Sequence, residues 1–436
     1  MKNLLKTTVC FTTMSLTAIL LPMNVMANEG EAKTITIAWT NIMESQQEIW
    51  EKYIFEPFEE KHPEVTIDFQ CLPDLQNTVR VQVAAGAGPD MFYMDSVDIP
   101  DYASTNRILS LENYRKEYNL DDSMYDWAIR SCLYKDEMYA LPASVEATAM
   151  TYNKNLLDQL GKDVPTNREE FVDVCNAALE AGLIPVSFGY SGANLLLTWP
   201  YEHYLTCYAG GEKTAQLLKG EITFDDPDIK GAFELLKADW DAGYINDKKS
   251  GAITNDEARI LFANQKAVFN YEGPWLILAD GAAKTWDFEW GQCAWPSMKD
   301  GTPAGSAITL GEAIGNASSQ VSDLCMEMMM DFYSNEELMA QAVAEGFSTP
   351  AVPIDSAAYP EDMDENIRKA LDAQNENMNL ETVGYAPWGF FPAKTTTFLD
   401  DNLDKVFYDK MDLDTFIDKA NETIAEDFAD GYVFAG

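Results

Sequence analysis

Thr34-Ile35-Thr36-Ile37-Ala38-Trp39, Val65-Thr66-Ile67-Asp68-Phe69-Gln70-Cys71 and Met91-Phe92-Tyr93-Met94 are three short segments rich in β-branched and aromatic residues. Between them lie two runs with helical spacing of apolar residues, Gln46 to Lys61 and Leu75 to Ala85. Strands joined through helices run parallel, and the helices cover both faces of the sheet, so this order predicts an α/β unit. The same grammar restarts after Tyr139-Ala140-Leu141-Pro142. Strands are expected at Ala149 to Tyr152, Val186 to Tyr190 and Ala267 to Tyr271, with helices at Arg168 to Ala181, Leu195 to Tyr208 and Ile229 to Ala242. From Cys325 onward helical runs dominate: Met326 to Tyr333, Glu336 to Glu345, Glu365 to Asn377 and two more between Thr397 and Phe428.

A chain of 436 residues exceeds what one hydrophobic core usually fills, so two α/β lobes are expected. The first 27 residues read as an export signal. Lys2 and Lys6 form a basic start, Thr7 to Leu21 is mostly apolar, Pro22 breaks it, and Val25-Met26-Ala27 offers small residues for cleavage. Cys10 lies near the start of the apolar stretch and far from the cleavage point, which favours a free periplasmic or secreted protein over a lipoprotein. The other six Cys (71, 132, 175, 207, 293 and 325) occur singly with no C-x-x-C, so neither a zinc site nor a redox motif is supported. Their even number permits disulfides and their scatter suits buried thiols equally.

The 30 basic residues face 72 acidic ones, a formal charge of −42 that repels phosphate backbones and excludes nucleic-acid binding as a function class. The chain has two His, and none of G-x-S-x-G, H-E-x-x-H, Walker A or a G-x-G-x-x-G after a strand. His62 is expected in a solvated loop and His203 as a packed residue among aromatics. No metal site, cofactor or catalytic residue is expected. Glycoside hydrolysis alone stays open among enzymes, since two carboxylates suffice for it.

Binding has positive support. Among 10 Trp, 20 Tyr and 21 Phe, several fall at strand ends and loops: Trp39, Tyr93, Tyr190, Trp275, Phe347 and Trp388. Rigid apolar rings suit the C–H faces of a pyranose, and carboxylates and amides suit its hydroxyls. Asn41 and Glu44 follow Trp39, Asp95 follows Tyr93, Glu146 lies near Pro142, and Glu272 precedes Trp275.

Leu141-Pro142-Ala143-Ser144-Val145-Glu146-Ala147, Tyr152-Asn153-Lys154 and Glu272-Gly273-Pro274-Trp275, in that order and behind an export signal, resemble the extracytoplasmic solute-binding proteins of ABC importers, in particular the sugar-binding family that includes the maltose-binding protein. Gly88-Pro89-Asp90 with Met91 to Asp95 is similar to the family's first-lobe loop. Gly311-Glu312-Ala313-Ile314 is similar to its re-entrant glycine-rich turn, and Tyr385-Ala386-Pro387-Trp388 falls where relatives carry a late stacking aromatic. Met94 and Glu312 depart from the pattern, standing where an aromatic and a second Gly are common.

The resemblance implies a periplasmic-binding-protein-like α/β fold of two discontinuous lobes around a hinge and a ligand cleft. Lobe 1 would hold 34–143 and 296–345, and lobe 2 would hold 144–295 and 346–436. It implies a monomeric binder that closes on a mono- or oligosaccharide and delivers it to membrane permease subunits. The ligand-binding residues would be Trp39, Asn41, Glu44, Tyr93, Asp95, Glu146, Tyr190, Glu272, Trp275, Glu312, Phe347 and Trp388. A non-sugar solute such as glycerol phosphate or a polyamine on the same scaffold is the alternative.

Overall fold

The computed structural model describes residues 32–434 except 41, 43, 143, 190–197, 246–252, 274–275, 278–284, 310 and 379–382. The expected export signal therefore lies outside the described residues. Strands are numbered in chain order: β1 Lys33–Thr40, β2 Val65–Leu72, β3 Met91–Asp95, β4 Leu133–Tyr134, β5 Glu137–Met138, β6 Glu146–Ala147, β7 Ala149–Asn153, β8 Ile184–Ser187, β9 Ala267–Glu272, β10 Trp290–Cys293, β11 Ser306–Thr309, β12 Gly311–Ile314 and β13 Val383–Tyr385.

Two four-stranded sheets carry the fold, ordered β12-β3-β1-β2 and β10-β7-β9-β8. In the first, β1 runs parallel to β2 from Lys33↔Val65 to Thr40↔Leu72 and parallel to β3 at Ile37↔Met91, as the β-α-β-α-β order requires. β12 joins its edge antiparallel to β3. In the second, β7 pairs antiparallel with both β9 and β10, and β8 runs parallel to β9. A third sheet, β13-β11-β6, lies between the first two in the chain's path: β6 pairs with β11 immediately before β7 enters the second sheet, and β11 is followed directly by β12 of the first.

Two large clusters of buried side chains form the core, and the first also takes in Ala267 and Trp290 of β9 and β10. Ile35, Ile37, Met91, Phe92, Phe55 and Phe58 pack together under the first sheet, with Met326, Met329 and Phe332 of the helix Ser322–Tyr333. Met150, Phe269, Phe171, Tyr201, Phe233 and Trp295 pack under the second, joined by Leu399, Leu403, Phe416 and Ile424 of the last two helices, Ala393–Phe407 and Leu413–Ala429. A small third core holds Trp127, Val145, Ala147, Ile308, Ala351, Met378 and Val383 around the three-stranded sheet.

Met298 packs in the second core, and Ser297 donates its backbone N–H to the Thr166 carbonyl, so the chain returns to the first sheet through β11 and β12. Phe347 and Ile354 pack in the first core, while the helix Glu365–Asn377 lies against β10 of the second sheet, where Gln374 Nε2 donates to Gln292 Oε1 at 2.8 Å.

Local chemistry explains the element ends. Asn153, Asn167, Asp226 and Asp364 each accept a backbone N–H of the helix they precede, and Thr254 with Glu257 forms a reciprocal capping box. Gly384 lets β13 lie against the helical turn Leu205–Ala209, since a Cβ there would meet Thr206 Oγ1 at 1.7 Å. All six described cysteines are free thiols. His62 follows the end of the helix Glu56–Lys61, as expected, and its ring lies 3.0 Å from Glu327 Oε1 and 3.5 Å from Glu64 Oε1.

Candidate ligand-binding site

Parallel strands direct their C-terminal ends to one edge of a sheet, where loops form a crevice. In the first sheet that edge carries Trp39, Tyr93 and Asp95. Trp39 meets Tyr93 edge-on with ring centroids 5.5 Å apart and Trp50 at 4.8 Å; Trp50 in turn meets Phe347 at 5.4 Å. These aromatics form one chain of rings, but Trp39 and Phe347 are only 7% and 4% exposed and pack as core. Tyr93 is half-buried and donates its hydroxyl to Asp95 Oδ1 at 2.9 Å, while Gln76 Nε2 donates to Oδ2 at 3.2 Å. Enclosure of the carboxylate, then the nearby Asp98, push Asp95 up to about 7, against those two donors. Asp90, by contrast, is used by the fold: it accepts the Thr36 backbone N–H at 2.9 Å and the Ser319 hydroxyl at 2.7 Å. Glu44 begins the helix Glu44–Trp50 and is exposed.

On the second sheet's side, the helix Thr198–Tyr204 brings Trp199, Tyr201, Glu202, His203 and Tyr204 into one turn and a half. Glu202 is 1% exposed. Its Oε1 accepts the Thr148 hydroxyl at 2.7 Å and the hydroxyl of Tyr271. Thr148 lies between β6 and β7, and its backbone N–H reaches the Ala307 carbonyl in β11 at 3.1 Å. Burial pushes the Glu202 carboxyl up to about 7, opposed by interactions with Tyr271, Thr148 and the Trp388 side chain. His203 stacks on Trp295 at 5.1 Å and 12° and meets Tyr271 edge-on at 4.7 Å; burial drives its pKa down to about 3, so it is neutral. It is packed among aromatics, as expected for this residue.

Trp388 is half-buried in the short helix Pro387–Phe390. A loop is expected there from the flanking Pro and Gly, but Pro387 takes the first helical position, where its missing N–H costs nothing. Glu146, Glu272 and Glu312 lie in β6, β9 and β12. Glu146 and Thr309 are paired across β6 and β11. Asn41, Tyr190 and Trp275 lie outside the described residues. The structure thus draws Trp39, Tyr93, Asp95 and Phe347 together at one sheet edge, and Trp388 with Glu202 at another place.

Glu202, Thr148 and Tyr271 were not singled out by the sequence. A trace was there: Trp199-Pro200-Tyr201-Glu202-His203-Tyr204 has no polar helix face, so its one acid has to be buried with partners. Among the described residues no group of three or more His, Cys, Asp and Glu is arranged to hold a metal ion, and no helix is long and apolar enough to cross a membrane.

Known proteins resemble this chain in sequence and fold. A family model described as bacterial extracellular solute-binding protein matches residues 43–321. The multiple sugar-binding protein of Streptococcus mutans is 24% identical over 311 residues, 65% of this chain and 67% of that protein. The galactooligosaccharide-binding protein of Bacillus subtilis is 25% identical over 284 residues, 63% of each, so the chain matches less than two thirds of that relative's length. Among solved structures, a chitin oligosaccharide binding protein superposes with a TM-score of 0.77 at 18% identity, covering 92% of this chain and 100% of the other. RafE in complex with raffinose superposes with a TM-score of 0.70 at 17% identity, covering 90% and 99%. These superpositions establish the fold: α/β, periplasmic-binding-protein-like, with two discontinuous lobes.

Proposed function

The chain belongs to the bacterial extracellular solute-binding protein family, and from that premise we propose that it captures a mono- or oligosaccharide between its lobes and delivers it to the permease of an ABC importer outside the cytoplasm. The observation that carries this reading is a pair of half-buried rings at two separate places: Tyr93, with the Asp95 carboxylate beside it, on the first sheet's edge, and Trp388, backed by the buried Glu202, beside the second. A ring face against a sugar's C–H surface with carboxylates at the rim is the chemistry a pyranose needs. The names of the curated relatives, multiple sugar- and galactooligosaccharide-binding, point the same way.

The cleft would lie where the two sheets meet through the three-stranded sheet, with the chain crossing at Leu141 to Ala149, at β11 to β12 and after Met378. Three crossings make a hinge whose closure brings both sets of side chains onto one ligand, and differential contact in the closed form is what shifts the equilibrium. The helix Glu365–Asn377 would run along the boundary between the lobes, since it lies against β10 of the second sheet. Tyr93, Asp95 and Trp388 would contact ligand, with Glu146, Tyr190, Glu272, Trp275 and Glu312 near it; Trp39 and Phe347 would act through packing. The relatives are binding proteins, and we infer no turnover.

A thermal-shift screen of the mature protein tests this. Mono- and oligosaccharides, glycerol phosphate and spermidine would each be present at ~100 times a trial dissociation constant, a level worth about 2.7 kcal/mol for a true ligand. A shift with sugar recovered intact supports the reading. A shift with glycerol phosphate or spermidine alone moves the ligand class, and sugar recovered cleaved makes the protein an enzyme.

A further inference from the structure

Glu202 touches three segments that converge on the proposed cleft, and none of them is its neighbour in sequence. Thr148 donates to Oε1 from the crossing between β6 and β7, Tyr271 donates to the same oxygen from the end of β9, one residue before Glu272, and the Trp388 side chain interacts with the carboxyl from the helix Pro387–Phe390. The other oxygen, Oε2, is buried with no conventional hydrogen bond, and so is the Trp388 indole Nε1. Thr148 and Tyr271 donate to the carboxyl, and the Trp388 indole N–H is a third donor group beside it. A buried carboxylate among donors works as a clamp, since Thr148 and Tyr271 lose their acceptor and the indole N–H its nearest negative charge if the carboxylate goes.

We propose that Glu202 is a positioning residue of the ligand cleft: its carboxylate fixes the Thr148 crossing, the Tyr271 strand and the Trp388 indole in one arrangement, and releasing it weakens ligand binding without unfolding the protein. This rests on the reading of Trp388 as a ligand-facing ring.

Among the described residues, His203 and Tyr271 are the titratable groups that face Glu202. His203 of the same helix lies 4.0 Å from Oε1 and stays neutral through burial, and Tyr271 comes from β9. Thr148, the Ala307 carbonyl and Trp388, on the other packed elements, do not titrate near neutrality. Protonation of Oε2 would replace an acceptor by an O–H donor against the indole N–H, so the clamp holds in the ionised form. Ligand affinity is then expected to rise as pH increases through about 7, the value to which burial pushes this carboxyl. A group that serves only stability would not change affinity with pH.

The test uses the mature wild-type protein, Glu202→Gln, Trp388→Phe and the double variant, titrated between pH 5.5 and 8.5 with the oligosaccharide of the screen that gives the largest thermal shift. Tryptophan fluorescence of each ligand-free protein is followed over the same range. Wild-type affinity should rise about fivefold across the range, while Glu202→Gln should bind about tenfold more weakly at pH 8 and keep only the pH dependence that Asp95, also raised to about 7, contributes. The double variant should bind no worse than the weaker single one, because both changes break the same link. The ligand-free wild type should show a fluorescence transition near pH 7 that both single variants lack. Wild-type affinity and pH profile in Glu202→Gln would overturn the proposal. If no sugar binds the wild type, the carbohydrate reading fails, and the clamp is judged by fluorescence: a transition that persists in Glu202→Gln contradicts it. Should Glu202→Gln not fold, Trp388→Phe carries both readouts.

Discussion

Tyr432 donates its hydroxyl to the Phe390 carbonyl at 2.6 Å, which ties the end of the described chain to the short helix that carries Trp388. The rings of Tyr385, Phe390 and Phe434 pack around that bond at 5.1, 5.2 and 6.3 Å. Ser96 and Val97, directly after Asp95, line the same small gap as Phe390, Tyr432 and Phe434. The C-terminal segment therefore bridges the two places where ring and carboxylate are paired. Tyr432→Phe leaves the Phe390 carbonyl without its donor and should cost about 1 kcal/mol in urea unfolding. An unchanged midpoint would mean that the bond contributes nothing.

Trp388 should be energetically prominent if it stacks on ligand. Trp388→Ala should weaken sugar binding at least tenfold, about 1.4 kcal/mol, in calorimetric titration, with secondary structure by circular dichroism unchanged. Wild-type affinity in this variant would remove Trp388 from the site.

Asp239, 1% exposed, accepts both guanidinium nitrogens of Arg168 at 2.5 Å and the Tyr204 hydroxyl at 2.5 Å. Asp239→Ala leaves a partly buried guanidinium and a buried hydroxyl without their acceptor and should cost about 3 kcal/mol of stability. The pair joins the helices Arg168–Glu180 and Pro227–Ala242 within the second core, and through Tyr204 it also holds the helix that carries Glu202, so sugar affinity in the folded variant should weaken as well, by less than about tenfold. Denaturant unfolding and titration of the same preparation check both halves.

Stability should depend on pH through two buried neighbours with opposite signs. Glu202, raised by burial from 4.5 to about 7, contributes stability that is full below pH 4.5 and lost as pH rises through 7, because the unfolded chain ionises first. His203, lowered by burial from 6.5 to about 3, contributes stability that is full above pH 6.5 and lost as pH falls towards 3, because the unfolded chain binds the proton first. The stability of Glu202→Gln relative to wild type should therefore rise between pH 5 and pH 8, measured by urea unfolding at each pH. A constant difference would mean that Glu202 does not titrate in this range.

The six free thiols make a chemical prediction. Cys132, Cys175, Cys207 and Cys325 are buried and Cys71 and Cys293 half-buried; burial pushes Cys293 up to about 12 and raises Cys71 as well. A thiol reagent should react slowly with the native mature protein and with six groups per chain after denaturation. Fewer than six on denaturation without reductant would reveal a disulfide.

How far the sequence could be read follows from which interactions are local. Alternating and β-branched residues gave the three parallel strands of the first sheet within one residue at each end, because a strand's pattern is set by its own two faces. β12 was read as a turn: Gly311 and Ala313 carry no strand signal, and the segment pairs with β3 only because the chain has crossed back to that edge. Nothing in Met298 says which of two cores it will enter, whereas the Leu141 to Ala149 segment was marked by its phrase. In the site, aromatics at strand ends were visible, but Trp39 and Phe347 face inward, which a strand-end position does not determine. Glu202 escaped notice because its partners come from residues 54, 69 and 186 positions away in the chain, and only the tertiary fold gathers them.

Isothermal titration of the mature protein with the oligosaccharide that stabilises it most tests the central claim most directly. The account predicts one site per chain, binding in the micromolar range or tighter, and a negative heat-capacity change as rings and sugar faces leave water. No heat from any mono- or oligosaccharide, with saturable heat from glycerol phosphate or spermidine, would contradict it.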